Sequence, residues 1–313
     1  MFSEKWCEGR IKDSARGERT IAMMTYREWL LRAEECFSRC GIEEARADAW
    51  LILAYGAGID RLWYSLHGGE AIPEECLGKL GELEEKRCRR IPVQQIVGEA
   101  WFMGQPFYVN EHVLIPRQDT EVLAEHALGL LAEKTEKKGG SVRLLDLCTG
   151  SGCILLGLVK AFPGFLGVGA DISPKALAVA RKNAARLGVE VSFILSDLWE
   201  QIEGTFDMIV SNPPYIARAV IAELAPEVRE HEPFLALDGG EDGLSFYRRI
   251  VGRALDYLEE GGNLSLEIGY DQGAAVAALM EEEGFVGVRV IRDLSGLDRV
   301  VTGNRGIDCG AHR

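Results

Sequence analysis

The sequence predicts an α/β fold: a doubly wound, mostly parallel sheet preceded by a small helical bundle. Three observations carry this reading. From about Pro116 onward, apolar runs of strand length alternate with amphipathic stretches of helix length, the pattern of parallel strands with crossover helices. Before Pro92, apolar residues recur at three- and four-residue spacing. Between the two lie short β-like runs broken by Gly98, Gly104 and Pro106. The expected divisions are a flexible tail over 1–23, a helical domain over 24–91, a β-hairpin linker over 92–115, the sheet domain over 116–305 and a tail over 306–313.

The first helix begins after Thr25, with Glu28 at capping-box spacing, and Gly41 ends it. Its apolar stripe is Tyr26, Trp29, Leu30, Ala33 and Phe37. A second run, Ala45 to Ala57, brings Ala49, Trp50, Leu53 and Ala54 to one face. A third, Pro73 to about Arg90, has proline in its first turn. Pro92 stops the bundle, and Val93–Val97, Trp101–Met103 and Phe107–Val109 read as short β-like runs.

In the sheet domain a helix over Thr120–Glu133 comes first. Strand-like runs are Val142–Leu147, Phe165–Ala170, Val191–Leu195, Met208–Ser211, Gly262–Ile268 and Val286–Ile291. Helical runs between them are Cys153–Ala161, Lys175–Leu187, Ser245–Leu258 and Asp271–Glu283.

Composition narrows the function classes. The net charge is −14, of which residues 93–313, with 20 basic and 32 acidic side chains, hold −12. Phosphate backbones repel such a surface, so strong direct nucleic-acid binding is not expected. The longest apolar run, Trp50 to Ile59, is far short of the ~20 residues a membrane span needs. Residues 1–24 lack a secretory apolar core, and Glu4, Glu8, Asp13 and Glu18 argue against an acid-poor transit peptide. A cytoplasmic monomer is the expectation. Eight cysteines without a CxxC pair read as reduced thiols, and five scattered histidines suggest no metal site.

Four signals carry chemistry. Leu144 to Cys153 reads LLDLCTGSGC: a buried strand reaching Asp146, then a tight turn of Cys148, Thr149, Gly150, Ser151 and Gly152 into a helix. Small residues admit a ligand close to the backbone, and the helix start offers free N–H groups. A packing turn in any α/β protein shows the same pattern. The second strand ends at Asp171, nineteen residues after Gly152, where a carboxylate can accept from a ribose diol; Ile172 follows it. Leu155 replaces the third glycine of the dinucleotide motif, so a nucleoside without pyrophosphate fits better, which points to S-adenosylmethionine. After the third strand, Asp197 could accept from the adenine amine and Leu198 could cover the ring; a helix cap explains Asp197 equally well. The sharpest signal is FDMIVSNPPYI, Phe206 to Ile216. Two prolines fix φ and remove two donors, leaving a rigid loop whose acceptors are the Asn212 side-chain oxygen and the Pro213 carbonyl. Two acceptors suit a planar –NH2 group, and Tyr215 would add a flat apolar face.

NPPY after a strand resembles the S-adenosylmethionine-dependent amino-methyltransferases, and the chain is similar to one branch, the release-factor glutamine methyltransferases of the PrmC/HemK type. The matching stretches are REWLLRAEECF at Arg27–Phe37, IPVQQIVGEAWFMGQPFYV at Ile91–Val109 and VLIPRQDTEVLAEHAL at Val113–Leu128. They continue with EVREHEPFLALDGGEDGLSFYRRI at Glu227–Ile250, LEIGYDQG at Leu266–Gly273 and DLSGLDRVV at Asp293–Val301. Gln118 stands where the family usually has proline, which is expected to loosen the next helix start. The resemblance implies a seven-stranded Rossmann-like sheet and S-adenosylmethionine as methyl donor. It implies S-adenosylhomocysteine as product, and as substrate the glutamine of the GGQ loop in peptide-chain release factors. It also implies that the N-terminal helices contact the release factor. On this reading Asn212, Pro213 and Tyr215 are catalytic, and Asn212, Pro213, Pro214 and Tyr215 hold the substrate amide. Asp146, Cys148–Gly152, Asp171, Ile172, Asp197, Leu198 and Asn212 hold the cofactor. Glu121 and Glu267 read as supporting residues. Three other readings compete. An adenine-N6 methyltransferase shares the loop, but only the basic cluster Lys86, Arg87, Arg89 and Arg90 favours it, and a solvated helix end explains that cluster better. A glutamine methyltransferase acting on a ribosomal protein is separated only by the N-terminal match. Intact Asp171 and NPPY argue against a non-catalytic binding module.

Overall fold

The computed structural model describes residues 23–138, 141–162 and 164–307. Residues 1–22 of the expected N-terminal tail and 308–313 of the C-terminal one lie outside them.

The N-terminal bundle contains α1 (Tyr26–Arg39), α2 (Ala45–Ala57), α3 (Arg61–His67), α4 (Glu74–Cys88) and α5 (Val93–Val97). The capping box of α1 forms as the spacing predicts, with Thr25 Oγ1 accepting from Glu28 N and Glu28 Oε2 accepting from Thr25 N. Pro73 stands just before α4 rather than in its first turn. The short α3, which periodicity does not reveal, is capped by Asp60, whose Oδ1 accepts from Trp63 N at 2.7 Å. Val93–Val97 is a helix, not the β-like run expected from its valines. Val93 is buried among Trp29, Phe37, Ile52, Leu53 and Leu80, and this packing outweighs β-branched propensity. Gly98, with φ 71°, then turns the chain into the hairpin β1 (Glu99–Phe102) and β2 (Gln105–Tyr108).

The sheet domain runs α6 (Thr120–Lys138), β3 (Val142–Leu147), α7 (Cys153–Ala161), β4 (Phe165–Asp171), α8 (Pro174–Leu187), β5 (Ser192–Leu195), β6 (Phe206–Ser211), α9 (Pro226–His231), α10 (Ser245–Tyr257), β7 (Leu258–Glu267), α11 (Gly273–Glu282), β8 (Val286–Arg292) and β9 (Asp298–Asn304). Its seven strands lie in the order β5-β4-β3-β6-β7-β9-β8. All neighbours are parallel except β9, which is antiparallel to both β7 and β8. The chain moves outward from β3 to β5 and returns to β6 on the other side of β3. The crevice at that reversal is the ligand site of doubly wound sheets. Here Leu147 pairs with Ser211, so the glycine turn and the NPPY loop leave the sheet side by side.

Alternation along the strands builds a core on each face. Leu144, Met208 and Val210 pack with α6 and α7, whereas Leu145, Ile209 and Leu264 pack with α10 and α11. Despite Gln118 the turn into α6 is closed, since Glu121 N donates to the Gln118 carbonyl at 2.9 Å.

The two domains meet through ion pairs. Arg87 is buried, donating to Asp48 at 2.7 Å and to Glu227 at 2.9 Å, and Arg90 reaches both Glu227 oxygens. Burial acts to raise Glu227, but hydrogen bonds from Arg90 and Arg87 outweigh it and hold the carboxyl at about 2. Two of the four cations of the basic cluster, Arg87 and Arg90, are thus spent on Glu227, whereas Lys86 and Arg89 stay exposed at the end of α4 as a solvated helix end would have them.

Candidate active site

The cofactor half is built mainly from backbone. Cys148, Gly150 and Gly152 all adopt positive φ, 58°, 54° and 80°, which lifts the chain out of β3 in a tight arch. A Cβ at Gly152 would lie 3.1 Å from Leu156 and 3.3 Å from Ala180, so a side chain there would push α7 from α8. Asp171 fastens the arch. One carboxylate oxygen accepts from Gly150 N at 2.9 Å and the other from Ser173 N at 2.8 Å. Burial raises the Asp171 carboxyl, and these backbone bonds offset part of the rise. Asp146 is wholly buried beneath the arch, bonded by Thr149 Oγ1 at 2.6 Å, and burial pushes it up to about 7.

The acceptor half is built from side chains. Asn212 Nδ2 donates to Thr120 Oγ1 at 3.3 Å, which leaves Asn212 Oδ1 as its acceptor. Behind Thr120 lies Glu267, 2 % exposed at the end of β7. Burial pushes its carboxyl up to about 7, with the Thr120 hydroxyl and the Arg299 guanidinium pulling the other way. The Tyr215 hydroxyl faces Glu267 at 3.5 Å. The Tyr215 carbonyl accepts from Gln272 Nε2 at 2.9 Å. The loop over 237–243 holds the same backbone, with Ile216 N bonded to Leu237 O and Gly239 N to Ile216 O. A Cβ at Gly243 would stand 2.4 Å from the Tyr215 carbonyl oxygen, so only glycine lets the two loops close.

Between the halves opens a cavity of about 200 Å³. Cys148, Thr149, Gly150, Ser151, Asp171, Ile172, Asp197, Leu198, Asn212 and Pro214 line it, together with Thr120, Arg117 and Phe246. Arg117 is held by Glu232, whose two oxygens each accept from Nη2 at 2.8 Å.

Residues 28–98 match the PrmC N-terminal domain and residues 124–228 the methyltransferase small domain. The release factor glutamine methyltransferase of Agrobacterium fabrum is 40 % identical over 278 residues, 88 % of this chain and 96 % of that protein. Its counterpart from Cereibacter sphaeroides is 45 % identical, over 84 % of this chain and 92 % of that protein. The chain belongs to the release factor glutamine methyltransferase family. Among solved structures, the hMettl16 catalytic domain in complex with MAT2A 3'UTR hairpin 6 is similar in fold, with TM-score 0.53 and 16 % identity over 72 % of this chain and 83 % of that one.

As a release factor glutamine methyltransferase family member, the chain departs from its sequence-predicted site at five residues. Asp146 and Gly152 do not line the cavity; they shape the arch from below, one as a buried hydrogen-bond acceptor and one as a packing contact. Pro213 is buried outside the lining. Tyr215 does not present its ring to the cavity, because its side chain turns back toward Glu267 and packs in the core beneath α10. Asp197 lines the cavity, but its Oδ1 is engaged by Arg249 at 2.8 Å. Sequence reading missed Thr120, Glu232 and Gly243 as site-builders. The stretches that contain them were part of the family resemblance, but no local pattern singles out those residues. Glu121 is a supporting residue as expected, accepting from Met103 N at 2.7 Å.

Proposed function

We infer that the chain transfers a methyl group from S-adenosylmethionine to the side-chain amide nitrogen of the glutamine in the GGQ motif of peptide-chain release factors. Family membership supports the reaction class. The observation that carries the chemistry is the fixed orientation of Asn212, whose nitrogen is spent on Thr120 so that its oxygen is the group left to meet a substrate –NH2. The donor residues fit a nucleoside: a strained glycine arch, the half-buried Asp171 carboxylate at a strand end and an apolar wall of Ile172, Leu198 and Phe246.

Gly150, Ser151 and Asp171 would hold the cofactor, which supplies a methyl activated on a sulfonium sulfur and departs as S-adenosylhomocysteine. An amide nitrogen is a weak nucleophile, since its lone pair is delocalised into the carbonyl. Asn212 Oδ1, which lines the cavity, would accept one of its hydrogens and turn the lone pair toward the methyl. Methyl transfer to the amide nitrogen would exchange the C–S bond for a C–N bond. This acceptor strengthens as positive charge grows on nitrogen, so the stabilisation belongs to the transition state. The cationic amide then loses a proton to water, and no histidine is required. Tyr215 contributes by anchoring the loop through its carbonyl and its hydroxyl rather than by stacking. The N-terminal helices supply the surface for the release factor, in the cytoplasm, with the enzyme acting as a monomer.

Mass spectrometry of GGQ-loop peptides after incubation with labelled cofactor tests this reading. A single added methyl on the glutamine amide is expected. Labelling of adenine in an oligonucleotide, with none on the peptide, overturns it.

A further inference from the structure

The N-terminal bundle contains a cluster of thiols that the transfer reaction does not use. Cys36 and Cys40 stand four residues apart on and just after α1, so their side chains share one face. Cys88, the last residue of α4, meets them from the crossing helix. The three sulfurs all lie within 4.8 Å of one another, with Cys36 and Cys88 3.2 Å apart. Among the described residues this is the one group of metal-ligating side chains so disposed. We propose that Cys36, Cys40 and Cys88 form a three-thiolate site for a single thiophilic d10 cation such as zinc(II).

Zinc–thiolate bonds of about 2.3 Å set sulfurs roughly 3.8 Å apart in a tetrahedral site, inside the range observed, so binding needs only small side-chain shifts. Soft thiolates select such ions over magnesium or calcium. All three cysteines are half-buried, which leaves a path for the ion and a place for water as fourth ligand. Thiols bind such an ion as thiolates, so uptake releases protons. Arg90 Nη1 donates to the Cys40 carbonyl at 3.1 Å, which ties the end of α1 to the residues that follow α4. A disulfide would use only two of the three sulfurs and leaves the position of Cys40 unexplained. The site also adjoins the domain junction: Arg87 precedes Cys88, and both Arg87 and Arg90 hold Glu227. A bound ion would therefore pin α1 to the end of α4 where the recognition bundle meets the catalytic domain.

The test is zinc titration of the reduced full chain against a chromophoric chelator, with alkylation mapping by mass spectrometry. One equivalent should bind, and zinc should protect Cys36, Cys40 and Cys88 but not Cys76 from alkylation. Cys36→Ala, Cys40→Ala and Cys88→Ala should each weaken binding by more than about tenfold, with Cys76→Ala unchanged. Alkylation mapping on the unmutated chain keeps the test valid should a variant misfold. The proposal is overturned by failure to take up stoichiometric zinc, or by protection that ignores Cys40. It is equally overturned by a Cys36–Cys88 disulfide forming under mild oxidant while Cys40→Ala binds zinc as before, since the cluster is then a two-thiol redox pair.

Discussion

The two halves of the cavity are made of different material. On the cofactor side the ligand-facing surface is backbone, held in positive-φ geometry and fastened by one carboxylate to Gly150 and Ser173. On the acceptor side it is a relay of four side chains from three separate elements, Asn212 to Thr120 to Glu267 and back to Tyr215 of the Asn212 loop. A backbone-built surface tolerates loss of a side chain unless that side chain holds the arch. A side-chain relay fails at the member that touches substrate and weakens progressively behind it. The difference predicts that lesions on one side move cofactor affinity and lesions on the other move turnover.

The largest expected effect is at the tip of the relay. Asn212→Ala should lower single-turnover methylation by ~10²–10³, the usual cost of one oriented polar group in a dry site, with cofactor affinity nearly unchanged. Near-normal turnover with saturating peptide would reduce NPPY to a rigid turn. Asn212→Asp sharpens the contrast: negative charge beside the sulfonium should tighten cofactor binding while turnover falls. On the other side, Asp171→Ala should weaken cofactor binding by roughly ten- to a hundredfold, one charged acceptor being worth ~1.5–3 kcal/mol. Calorimetry showing equal affinity would remove Asp171 from the site.

One step further back, Glu267→Gln keeps the shape of the relay and removes its titration. Turnover should drop by about tenfold or less, because the substrate contact itself is intact. The same variant tests stability. Glu267 and Asp146 both sit at about 7 in the fold, above their ordinary values, because burial disfavours the charged forms. The folded chain therefore holds these protons more tightly than the unfolded one. Their contribution is complete at acidic pH below the ordinary carboxyl range and is lost as pH rises through about 7. Denaturant midpoints should fall between pH 5 and pH 8, and fall less in Glu267→Gln; identical slopes would show that Glu267 is not protonated in the fold. The smallest effect is at Asp197. Its pair with Arg249 is partly exposed, so Asp197→Ala should change cofactor affinity only a few-fold and turnover not at all.

Much of this molecule is legible in its sequence wherever a local cause suffices. The strand Val142–Leu147 and the helix Cys153–Ala161 are found with the bounds that their apolar runs and flanking glycines predict. Asn212-Pro213-Pro214 is rigid because proline fixes its own φ and restricts its predecessor, whatever surrounds it. The β9 strand was missed from the periodicity because DRVVTGN carries too few alternating apolar residues to stand out, and it forms because β7 and β8 both pair with it. Tertiary structure alone decided that Val93–Val97 coils as a helix and that Arg87 and Arg90 are spent on Glu227. It also turned Tyr215 toward Glu267 and set Cys88 against Cys36, 52 residues away. The reason is common to all of these. Propensity, φ restriction and periodicity act within a few residues, whereas a buried side chain, apolar or polar, meets its distant partners only after the chain has folded around it.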